Sequence, residues 1–129
     1  MDTKKKILIV DDDSFLLDMY ALKFDKSGFA VTSALGPEHA LEHLRNGLIP
    51  DIILLDIMMP VMDGFEFMEK MKEENLASEA IRIILSNRGQ SSDISKGEEM
   101  GVAGYIIKAS STPSEVITRV TEIVDKFKK

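Results

Sequence analysis

Residues 6–13 read Lys6-Ile7-Leu8-Ile9-Val10-Asp11-Asp12-Asp13, and residues 51–56 read Asp51-Ile52-Ile53-Leu54-Leu55-Asp56. Each is a short aliphatic run that ends on carboxylates. Such continuous apolar runs fit strands buried on both faces, the kind that parallel sheets use. Carboxylates at the ends of buried strands are costly. Two unit charges about 4 Å apart repel by roughly 4 kcal/mol at an effective dielectric near 20, and here the cost is incurred repeatedly. That points to a counter-charge, for which a bound divalent cation is the obvious candidate.

Outward from these two runs, strand-like and helical segments alternate. Lys6 to Val10 reads as a strand and Ser14 to Lys26 as a helix with Leu17, Ala21 and Phe24 on one face, stopped by Gly28. Phe29 to Ala34 is a second strand, and Pro37 opens a helix with a core face of Ala40, Leu41 and Leu44, ended by Gly47. Asp51 to Leu55 follows as a strand, then Gly64 to Glu74 as a helix carrying Phe65, Met68 and Met71. Ile81 to Leu85 returns to strand character, Ser91 to Met100 is a weak helix, and Val102 to Ile107 is the fifth strand. The last helix starts at a capping box with proline at its first position, Thr112-Pro113-Ser114-Glu115. Its predicted buried stripe is Val116, Ile117, Val120, Ile123, Val124 and Phe127.

Five βα units of this kind predict an α/β fold: a flavodoxin-like five-stranded parallel sheet with helices on both faces, (βα)5. The length of 129 residues suits a single domain, taken as 1–129, and no linker, repeat or low-complexity tract divides it. In such sheets ligands bind at the carboxyl ends of the strands. The residues suited to chemistry all fall there: Asp11 to Asp13 after the first strand, Asp56 after the third, Ser86 after the fourth and Lys108 after the fifth.

Composition narrows the function. With 16 basic and 22 acidic residues the formal charge is -6, and the lysines form no stripe, so direct nucleic-acid binding is not expected. The absence of cysteine removes disulfides, thiolate metal sites and cysteine nucleophiles, and is compatible with a reducing compartment. The apolar run after Lys6 is too short for a signal-peptide core, and no stretch reaches the length of a membrane span. The reading is of a cytoplasmic protein that neither enters nor binds a membrane.

Carboxylates, a hydroxyl and an ammonium at one rim suit the handling of a phosphoryl group with a hard cation. Asp56 is placed to attack phosphorus and form an acyl phosphate. Asp11 and Asp12 are placed to hold Mg2+, which favours oxygen ligands and keeps several waters. Lys108 and Ser86 are left to contact phosphoryl oxygens, one by charge and one by hydrogen bond.

With these residues in place, the chain resembles the receiver domain of two-component response regulators. The resemblance rests on Asp11-Asp12, on the stretch Leu55-Asp56-Ile57-Met58-Met59-Pro60-Val61-Met62-Asp63-Gly64, on Ser86, and on Tyr105 with Lys108. It implies that Asp56 accepts a phosphoryl group from a sensor histidine kinase or a histidine phosphotransfer protein. It implies Mg2+ held by Asp12, Asp56 and the Met58 carbonyl, with Asp11 acting through water. It also implies a switch, in which Ser86 moves toward the phosphoryl group and Tyr105 turns inward, remodelling the surface of helix four, strand five and helix five for a downstream effector protein or domain. Such a module is not an enzyme in the usual sense, although it phosphorylates and dephosphorylates itself on Asp56. A monomer is expected before phosphorylation, either as a stand-alone receiver or as one excised from a larger protein. The chain departs from the commonest pattern at Ala109, where proline is usual, at Asn87, and at Met58.

Other features of the sequence read as structural or point elsewhere only weakly. Asp13 is assigned to capping the first helix rather than to metal, Asp63-Gly64 to a turn and helix start, and the methionines around the third unit to packing. His39-Ala40-Leu41-Glu42-His43 matches a metallopeptidase string, but its apolar residues claim the buried side and turn both histidines outward. A phosphohydrolase with an aspartyl nucleophile is the enzyme alternative, and it lacks a general acid two residues after Asp56. A flavodoxin-type cofactor carrier would place glycine and hydroxyl residues where Asp11 to Asp13 stand. A degenerate receiver that only binds partners is opposed by the retention of every site position. The segment 91–100 contains only Ile94 as an internal apolar residue and carries Gly97, so it is expected to move at low cost.

Overall fold

The computed structural model describes residues 4–127. The chain alternates strands and helices: β1 Lys6–Asp11, α1 Ser14–Lys26, β2 Ala30–Leu35, α2 Pro37–Arg45, β3 Ile52–Leu55, α3 Gly64–Glu73, β4 Ile81–Ser86, α4 Ser91–Glu99, β5 Gly104–Ile107 and α5 Pro113–Phe127. A 3-10 turn, Lys108–Ser110, joins β5 to α5. The five strands form one parallel sheet in the order β2-β1-β3-β4-β5. This is the (βα)5 flavodoxin-like architecture expected from the alternation.

Alternate residues of each strand serve the two faces, as the two-residue period of a strand requires. Leu8, Val10, Ile53, Leu55 and Ile84 point to the side covered by α2 and α3, where Leu41, Leu44, Phe65, Phe67, Met68 and Met71 pack. Ile7, Ile9, Ile52, Leu54, Ile83, Leu85 and Ile106 point to the side of α1 and α5, against Leu17, Phe24, Val116, Val120 and Val124. No helix of the described residues is long and apolar enough to cross a membrane.

The helix caps follow the local chemistry. Asp13 caps α1, accepting from the Leu16 N–H at 3.1 Å, and Asp63 and Glu66 form a reciprocal capping box at α3. Thr112 and Glu115 do the same at α5, at 2.7 and 3.2 Å.

Three expectations need correction. On α1 the buried partner of Leu17 and Phe24 is Tyr20, and Ala21 is only half-buried. Positions three and four residues on from Leu17 are both near its face, and the larger side chain takes the interior. On α5 the stripe narrows to Val116, Val120 and Val124, with Ile117 and Ile123 half-buried and Phe127 59% exposed. β5 begins at Gly104, because the Val102 N–H returns to the Gly97 carbonyl and the Ala103 N–H to the Arg82 carbonyl.

α4 is thinly anchored, as its composition suggested. Its only buried residue is Gly97, while Ile94 is exposed.

Candidate functional site

β1 and β3 are neighbours in the sheet, paired from Ile7 with Ile52 to Val10 with Leu55. Their carboxyl ends therefore lie side by side, and Asp11, Asp12 and Asp56 converge, with one carboxylate oxygen from each lying within 4.8 Å of the others. They are the only such group among the described residues, and His39 and His43 are exposed and outside it. Asp11 and Asp56 are buried, whereas Asp12 is exposed. Asp13 turns to its helix instead.

Lys108 reaches into this cluster from the end of β5. Its Nζ donates to Asp11 Oδ2 at 2.6 Å and to Asp56 Oδ2 at 2.7 Å, and its side chain is only 8% exposed. The remaining oxygens take backbone donors: Met58 N–H donates to Asp56 Oδ1 at 2.9 Å and Asp13 N–H to Asp11 Oδ1 at 3.0 Å. Each buried carboxylate is thus held by one ammonium and one amide. The Lys108–Ala109 peptide is trans, and the 3-10 turn carries the lysine.

Three carboxylates against one ammonium leave a net charge of about -2, complementary to a divalent cation. Burial raises the Asp11 pKa above its usual value, and the Lys108 and Asp13 hydrogen bonds pull it back only in part. For Lys108, burial works to lower the pKa, but its hydrogen bonds to Asp11 and Asp56 and their charges outweigh it, so the net direction is upward.

Ser86 closes β4, fully buried, and its Oγ accepts from the Arg88 N–H at 3.2 Å. Tyr105 lies on β5, and its hydroxyl donates to the Arg88 carbonyl. Its pKa is pushed up to about 12, by burial first and then by the charge of Asp93, with Arg88 acting the other way. Met58, half-exposed, contributes a backbone N–H to Asp56 and no acidic side chain.

The sequence reading took Gly64 only as a turn and helix start, and Tyr20 and Arg88 near the site escaped it. A Cβ on Gly64 would stand 2.6 Å from the Asp56 carbonyl oxygen and 2.7 Å from Ile57 Cα, so only glycine lets α3 start against the backbone of Asp56. Tyr20 lies on the buried side of α1, where burial raises its pKa and the charges of Lys108, Asp11 and Asp56 also act on it. The spacing from Leu17 was the signal for it. Arg88 had no signal, because its importance lies in its backbone groups.

The family model for the response regulator receiver domain matches residues 7–121. The chain belongs to this family. Among the receiver's curated relatives, the phosphate regulon transcriptional regulatory protein PhoB of Escherichia coli is 31% identical over 123 residues, covering 95% of this chain and 53% of that protein. The chain spans about half the length of the curated relatives it matches. Among solved structures, a CheY-like receiver domain protein from Methanospirillum hungatei matches with a TM-score of 0.83 at 26% identity, covering 96% of each chain. Chemotaxis protein CheY4 of Vibrio cholerae has a TM-score of 0.85 over 94% of this chain and 99% of that one, and at 23% identity it speaks for the fold alone. The chain is therefore a receiver domain, a signalling module of two-component systems. Mg2+ use is typical of the family, and the three-carboxylate group fits a hard cation.

Proposed function

We propose that Asp56 is the phosphoacceptor of this receiver and takes its phosphoryl group from a phosphohistidine on a sensor histidine kinase or phosphotransfer protein. A carboxylate oxygen of Asp56 attacks phosphorus, the P–N bond breaks, and its electron pair leaves with the imidazole, which takes up a proton. The product is an aspartyl phosphate. Water attack on phosphorus later releases inorganic phosphate and restores the carboxylate. The observation that carries this reading is the position of Lys108 Nζ, hydrogen-bonded at once to Asp11 and Asp56. Its ammonium is held beside the acceptor oxygen, where the charge of an incoming phosphoryl group needs compensation.

Asp12, Asp56 and the Met58 carbonyl are the proposed Mg2+ ligands, with Asp11 acting through water. When bound, Mg2+ would neutralise phosphoryl oxygens and offset the repulsion between the carboxylates and an anionic donor. Ser86 is proposed to donate its hydroxyl to the phosphoryl group, and Tyr105 to follow through the β4–α4 loop, changing the α4-β5-α5 surface that an effector reads. A cytoplasmic location alongside its kinase is part of this proposal. The phosphohydrolase alternative lacks support, since Met58 offers only backbone groups where an acid would be needed.

Incubation with Mg2+ and acetyl phosphate, followed by intact-protein mass spectrometry, is expected to add one phosphoryl group. Asp56→Asn should remain unlabelled. Equal labelling of that variant would place the acceptor elsewhere.

A further inference from the structure

Ser86 and Tyr105, assigned above to the switch, are joined through a third residue. Ser86 Oγ accepts from the Arg88 N–H at 3.2 Å, and the Tyr105 hydroxyl donates to the carbonyl of the same residue. The Arg88 side chain then leaves in another direction, with Nε 3.2 Å from Asp93 Oδ1 in the first turn of α4. The second oxygen of Asp93 accepts from the Gln90 N–H at 3.2 Å. One residue of the β4–α4 loop is thereby tied to the end of β4, to β5 and to α4.

The surroundings make that tie matter. A Cβ on the next residue, Gly89, would lie 2.2 Å from Ile107 Cδ1, so the loop is already pressed onto β5. α4 offers little apolar anchorage, with only Gly97 buried. The start of this helix is thus held largely by polar contacts, of which the Arg88–Asp93 pair is the charged one. Its arginine side chain is 41% exposed, so the pair is weak and readily broken, as a latch must be.

We propose that Arg88 is a positioning residue and that its ion pair with Asp93 is a latch coupling Ser86 and Tyr105 to α4. Displacement of Ser86 moves the Arg88 amide that it accepts from. The same residue carries the carbonyl that holds Tyr105 and the guanidinium that holds α4, so all three respond together. The role in switching rests on Asp56 being the acceptor, whereas the mechanical tie does not.

Arg88→Gln keeps both backbone groups, and Asp93→Asn keeps an oxygen for the Gln90 N–H while removing the charge. In the unphosphorylated protein, each variant is expected to raise amide hydrogen exchange across residues 91–99 by about threefold, and the double variant no further than either single one. Arg45→Gln, which breaks the Arg45–Glu74 pair between α2 and α3, should leave that segment unchanged. After treatment with acetyl phosphate and Mg2+, the parent should change exchange in 91–99. The latch variants, labelled to the same extent on Asp56, should show little further change, which loss of stability alone would not produce. Unchanged exchange in both single variants, or additive effects in the double, would overturn the latch, as would a full phosphorylation response in either. Failure of the parent to take up phosphate would instead count against Asp56 as acceptor, while the exchange results without phosphodonor still decide the tie.

Discussion

Lys108 and Asp11 stand 97 residues apart in the chain, yet Lys108 Nζ lies 2.6 Å from Asp11 Oδ2. That pairing closes the rim of the sheet from β5 back to β1, and Asp56 lies between them.

Replacing Lys108 by alanine leaves the Asp11 and Asp56 carboxylates, 4% and 7% exposed, without their shared cation. Truncating one partner of a buried ionic contact costs about 3 to 5 kcal/mol, and the lower end is expected here because each carboxylate keeps a backbone amide donor. Urea denaturation without Mg2+ should register a loss of about 3 kcal/mol, with part restored by Mg2+. Identical midpoints for parent and variant would show that the ammonium contributes nothing to stability.

Mg2+ binding in the millimolar to micromolar range, roughly 4 to 8 kcal/mol, is expected from the charge of the carboxylate cluster. Free Mg2+ at 100 times its dissociation constant should then stabilise the fold by about 2.7 kcal/mol, read as a rise in Tm. Asp12→Ala should abolish most of the rise. An undiminished response would move the cation away from Asp11, Asp12 and Asp56.

Alkaline pH should destabilise the protein in a defined window. The folded-state pKa of Lys108 is raised from 10.5 and that of Tyr105 from 10.0 to about 12. A group raised on folding holds its proton more tightly in the native state. Its contribution is therefore full below the unfolded pKa and is lost as pH rises through the folded one. Both groups act in the same direction, so Tm should fall from about pH 10 upward. Tyr105→Phe should make that slope shallower; an unaltered slope would mean that the phenol is no harder to ionise in the native state.

Ala109→Pro addresses the loop that carries the lysine. The present 3-10 turn at Lys108–Ser110 already sets Lys108 on Asp56, with a trans peptide before Ala109. Proline should restrict the loop and speed phosphorylation by acetyl phosphate more than it changes Mg2+ affinity, because preorganisation acts on the reacting geometry. Unchanged rates would remove any kinetic role for this departure from the family pattern.

Gly64→Ala should cost about 1 to 3 kcal/mol, since its Cβ would collide with the backbone of Asp56 and Ile57, which cannot swing aside, as well as with the Ile57 side chain. Phosphorylation should slow along with the loss of stability. A variant of parental Tm would require the start of α3 to shift freely.

Much of this protein was legible in linear order. Strands were marked by aliphatic runs such as Ile52-Ile53-Leu54-Leu55, helix starts by Asp63-Gly64 and by Thr112 with Glu115, and the site by polar residues that follow apolar runs. These signals are local, because capping bonds and strand periods act over a few residues. The spacing from Leu17 marked both Tyr20 and Ala21, but which of them is buried, and that Phe127 is exposed, was not legible, since both depend on which neighbours stand opposite each helix.

By itself the sequence determined the (βα)5 order, the family, and the set of acidic, hydroxyl and ammonium groups at the strand ends. Only the tertiary structure decided that Lys108 shares its proton donors between Asp11 and Asp56, that Gly64 has no room for a side chain, and that Arg88 joins Ser86 to Tyr105. The physical reason is that these contacts depend on sheet order and register. β1, β3, β4 and β5 become neighbours through crossovers, and backbone donors and acceptors are the same at every residue until the fold places them.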